Sequence, residues 1–80
     1  MMDINEVRET LRITSSGLYE CRRVFDLILE KKAGLPTKGG HARWAQLHAL
    51  EAASIRELNI LLNIHLNMIA KEVAHELRAV

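Results

Sequence analysis

Eighty residues and 9.1 kDa set the scale of one small domain, 1–80. Apolar residues make up 49% and charged residues 26% in near balance, for a net charge of +1 with a single proline. That balance excludes a disordered tail, a Pro/Gly-rich linker and a purely polybasic nucleic-acid arm. The lone Cys21 excludes an intrachain disulfide framework and a cysteine-rich zinc module, while four histidines leave room for a histidine/carboxylate metal site.

The N-terminal Met-Met-Asp-Ile-Asn-Glu has neither the basic nor the apolar region of a secretory signal. The most apolar window, 58–70, is interrupted by Asn59, Asn63, His65 and Asn67, too short and too polar to span a bilayer. The expectation is a soluble cytoplasmic protein with no membrane partner.

The first predicted helix, 3–33, carries a heptad. Ile4, Val7, Leu11, Thr14, Leu18, Cys21, Phe25 and Ile28 follow one another at alternating spacings of three and four, the seam of a coiled-coil-like helix. Thr14 is its one poor core residue. Asp3 followed by Glu6 makes a capping-box-like start with carboxylates at the positive end of the helix dipole. Thr14-Ser15-Ser16-Gly17 is a run of poor helix formers, yet the seam passes through it unbroken, which favours one continuous helix. Ala33-Gly34-Leu35-Pro36 reads as a stop, with Gly34 at a left-handed cap and Lys31 and Lys32 complementing the dipole.

A turn over 34–40 leads to a second helix, 41–78, free of proline and glycine after its start. At 100° per residue, Trp44, Leu47, Ile55, Leu58, Leu62, Leu66, Ile69, Val73 and Leu77 form one wide stripe. Ile60, Leu61, Ile64 and Met68 carry apolar character further round, leaving a polar strip at Asn59, Asn63 and Asn67. A helix apolar on most of its circumference has to be covered on more than one side, and the first helix covers only one. The fold expected is therefore all-α: a long two-helix hairpin that dimerises into an antiparallel four-helix bundle. Leu58, Leu61, Leu62, Ile64, His65, Met68 and Ile69 are the predicted dimer or partner interface.

Charge is uneven along the chain. Lys31, Lys32, Lys38 and Arg43 fall in a stretch of 31–50 that contains no acid, beside Gly39-Gly40, His41 and Trp44. Such a tip is a candidate for anion or nucleic-acid contact through Lys31, Lys32, Lys38, Arg43 and Trp44; the plainer reading is a solvated turn with Trp44 in the core. Gly34–Gly40 lacks the Lys-Ser/Thr of a phosphate loop and has no preceding strand, and His75-Glu76-Leu77-Arg78-Ala79 lacks the second histidine of a zinc protease.

Glu72-Val73-Ala74-His75 has the Glu-x-x-His spacing of dinuclear bundle sites, against which stands its frequent chance occurrence. His65, near the stripe, is expected to be a core or rim histidine with a hydrogen-bond partner. Glu51, almost at the stripe's centre, is expected either to pair with Arg22, Arg23 or another basic group across the bundle, or to lie in first turns of the second helix that are unpaired. Cys21 on the seam is expected to be an inert thiol.

No residue set has the spacing of a catalytic site. The sequence therefore predicts a small non-enzymatic interaction or regulatory protein, with no cofactor, acting as a homodimer that binds another protein. Two alternatives stand beside it: a nucleic-acid-binding modulator using the basic tip, and a metal-binding bundle through Glu72 and His75.

Overall fold

The computed structural model describes residues 2–35 and 42–79. They form two helices, α1 (Ile4–Ala33) and α2 (Ala42–Ala79), packed against each other along their length. The result is a rod of 59 × 16 × 15 Å. Its radius of gyration, 17.8 Å, compares with about 12 Å for a globular chain of this length. Among the described residues there is no strand, and no helix is long and apolar enough to cross a membrane.

α1 starts as its sequence requires. The Asp3 carboxylate accepts a hydrogen bond from the Glu6 N–H at 2.9 Å, and Val7 N–H donates to the Asp3 carbonyl at 3.0 Å. The helix then runs without a break through Thr14–Gly17. Thr14 is buried, and its hydroxyl lies 2.9 Å from the Thr10 carbonyl.

The end of α1 corrects one expectation. Gly34 has φ −78° and ψ −7°, a right-handed conformation rather than a left-handed cap. The last turn tightens instead: Gly34 N–H bonds the Glu30 carbonyl at 3.1 Å and Leu35 N–H bonds the Lys32 carbonyl at 3.2 Å. The Glu30 and Lys32 carbonyls of the last turn are thus satisfied without a positive φ. Pro36, Thr37, Lys38, Gly39 and Gly40 of the expected turn, and His41, the expected first residue of the second helix, lie outside the described residues.

The α1 side of the interface is the predicted seam. The α2 side differs from the predicted stripe. Burial along α2 falls on Trp44, Leu47, Glu51, Ser54, Leu58, Leu61, His65, Met68 and Glu72, an alternation of three and four that matches α1. Thr14 faces His65 and Arg8 pairs with Glu72, which sets the antiparallel register. A Cβ added at Gly17 would stand 3.4 Å from Leu61 Cδ1, so the two helices are in direct contact there. Six of the nine predicted stripe residues, Ile55, Leu62, Leu66, Ile69, Val73 and Leu77, remain exposed. The stripe merged two faces, because averaging apolar character over a helix discounts Glu51, Ser54 and His65, of which the seam bonds Glu51 to Lys32 and His65 to Thr14.

Candidate interaction surface

Two polar layers interrupt the seam. Thr14 Oγ1 is 2.7 Å from His65 Nδ1. The set is satisfied when the hydroxyl donates to the Thr10 carbonyl and His65 Nδ1–H donates to the hydroxyl. Toward the turn, Lys32 reaches across to Glu51 at 3.1 Å, the two side chains being only 16% and 17% exposed. Lys32 Nζ also lies 3.1 Å from His48 Nδ1 and 4.7 Å from the centre of the Trp44 ring, which itself stacks on His48 at 4.9 Å. Glu51 thus has its cation, though not Arg22 or Arg23. Arg22 bonds Asp26 at 3.1 Å, and Arg23 lies 3.9 Å from Glu20.

These contacts change the character of the basic tip. Lys32 pairs with Glu51 and lies over the Trp44 ring, with its side chain only 16% exposed. Lys31 and Arg43 are exposed, and Lys38 lies outside the described residues. The Glu72/His75 pair is also divided. Glu72 takes an ion pair from Arg8 at 3.3 Å, while His75 is exposed. Among the described residues no three histidine, cysteine or carboxylate side chains gather as a metal site.

The seven residues assigned to an interface fall into two sets. Leu58, Leu61, His65 and Met68 belong to the seam with α1, Met68 being buried and His65 bonded to Thr14. Leu62, Ile64 and Ile69 point outward.

Only four apolar side chains are buried among the described residues: Val7, Ile28, Leu47 and Met68. By contrast, fourteen large apolar ones are exposed by 39% or more. They lie on both sides of the hairpin. On one side Val24 and Leu50 line an open groove of about 360 Å³ with Glu20, Cys21 and Glu57. Helical register extends this face through Ile13, Leu27, Ile60 and Ile64. Burial raises the Cys21 thiol pKa above its usual value, and the Glu57 and Glu20 carboxylates raise it further. On the other side α2 presents Ile55, Leu62, Leu66, Ile69 and Val73, with Leu77 beyond, and the register of α1 adds Tyr19 and Leu29.

No known protein family, curated protein or solved structure matches this chain. The physical surface is therefore the ground for a functional reading.

Proposed function

We propose that this chain is a small non-enzymatic interaction protein: a helical hairpin that associates with a second copy and offers a helical surface to another protein. The observation that carries this reading is the inverted ratio of buried to exposed apolar side chains. Four buried residues at roughly 1.5–3 kcal/mol each are a thin core for two helices of 30 and 38 residues. Large contiguous apolar surface on a soluble chain marks a place where another macromolecule sits.

Light scattering on a sizing column, at low and at high salt, tests the reading. The expected mass is about 18 kDa in both, twice the 9.1 kDa chain. A stable 9.1 kDa species at micromolar concentration would overturn the homodimer. Fluorescence anisotropy with labelled duplex and single-stranded oligonucleotides separates the basic-tip alternative. No binding is expected at low salt, whereas affinity that falls steeply with salt would replace protein binding with nucleic-acid binding.

A further inference from the structure

We infer that the second copy seats on one particular face, a second heptad seam of α2, so that α2 pairs with α2 across a twofold axis. This rests on the homodimer reading above and specifies its contact.

The seam is defined by spacing. Ile55, Asn59, Leu62, Leu66, Ile69 and Val73 alternate at four and three, with Ala52 continuing the pattern toward the turn. Each lies one residue beyond a member of the seam that faces α1, a rotation of about 100° on the helix. α2 therefore has two coiled-coil faces at nearly a right angle, and α1 occupies one. On the other, Leu62 is 44% exposed, Leu66 52% and Ile69 39%.

Three features select a second copy as the occupant. First, the seam positions from Ala52 to Val73 carry no charged side chain, so a twofold contact along them buries no charge. The opposite face fails this condition, because its groove is bordered by Glu20 and Glu57 and self-pairing would crowd carboxylates. Second, the seam is three heptads long with the period of the α1–α2 contact. The surface it matches in length and period is the same seam on another copy, with Asn59 as its single polar position, the kind of residue that sets register in coiled coils at a cost in stability.

The third feature is area. The chain exposes 6035 Å², against about 4,900 Å² for a compact protein of its mass. The excess, about 1,100 Å², is on the scale of the roughly 800 Å² per partner buried in a standard interface.

The test compares charge introduced on the two faces, in the full chain. Leu66→Glu and Ile69→Lys are expected to weaken dimerisation by roughly a hundredfold or more, since each buries an unpaired charge twice per dimer. Ile60→Lys and Val24→Lys, on the opposite face, are expected to leave the dissociation constant within about threefold. Sedimentation equilibrium reads the mass and circular dichroism the helix content. Loss of the dimer only in the first pair supports the seam, whether the released chain stays helical or unfolds, because folding of small dimers is coupled to association.

A dimer that survives Leu66→Glu and Ile69→Lys, or one lost equally in all four variants, would overturn the seam and leave the homodimer standing. A monomeric parent chain would overturn the homodimer itself.

Discussion

The Thr14 hydroxyl and the His65 ring meet inside a seam that would otherwise be apolar, and their value lies in mutual satisfaction. Removing one leaves the other buried without its partner, which costs more than the net worth of the bond. Thr14→Ala is expected to lower stability by about 1–2 kcal/mol, and Thr14→Val combined with His65→Leu by less than either change alone. Urea unfolding at one fixed protein concentration checks both; additive losses would mean the two groups do not act as a pair. Lys32 and Glu51 obey the same logic. Lys32→Met should cost about 1–3 kcal/mol by stranding the Glu51 carboxylate, whereas Arg22→Met, at a pair 70% and 58% exposed, should be nearly silent. Cys21 gives a prediction of sign. Its raised pKa keeps the thiol protonated at neutral pH. Iodoacetamide should therefore modify it more slowly than free cysteine, with the rate rising only above the ordinary thiol range and the difference vanishing in denaturant. Native reactivity equal to that of free cysteine would contradict this environment.

At the scale of the element, α1 was almost wholly legible. Its heptad, its Asp3 cap and its passage through Thr14–Gly17 follow from spacing and local hydrogen bonding. Gly17 is there for neither a turn nor a positive φ. An added Cβ would make ordinary contact with Leu61. Gly17→Ala should accordingly stabilise the protein by about 0.5–1 kcal/mol through helix propensity, measured by the shift in urea midpoint. A loss instead would show that Leu61 cannot yield. α2 was legible in extent and in excess apolarity, but its faces were not. Apolar residues occur on three sides of it, and hydrophobicity alone ranks Ile55 and Leu62 above Glu51, Ser54 and His65. Counting from the turn gives no such signal: Thr14 lies 20 residues before Gly34, and the residue 20 past Gly40 is Ile60, five short of His65.

For the whole molecule, the rod shape makes the proposed assembly a matter of stability as well as function. A chain whose largest apolar surface is external gains stability by mass action when a copy covers it. Thermal unfolding should move to higher temperature as protein concentration rises, by several degrees over a hundredfold range. A midpoint independent of concentration would describe a self-sufficient monomer. The division of α2 also gives each face its own chemistry. The inner seam carries hydrogen-bonded polar layers that select one register for the hairpin. The outer seam is uncharged, and the opposite face mixes aliphatics with Glu20 and Glu57.

What the chain determined by itself was the local part: two helices, where they begin, the seam of α1, and an apolar surplus too large for one hairpin. These depend on capping, propensity and periodicity within a few turns, all written in neighbouring residues. Tertiary structure alone decided which face of α2 meets α1, and that Lys32 rather than Arg22 or Arg23 neutralises Glu51. Those outcomes depend on residues far apart in sequence, whose energies are differences between competing pairings. A helix with more than one apolar face leaves that competition open until its neighbour is in place.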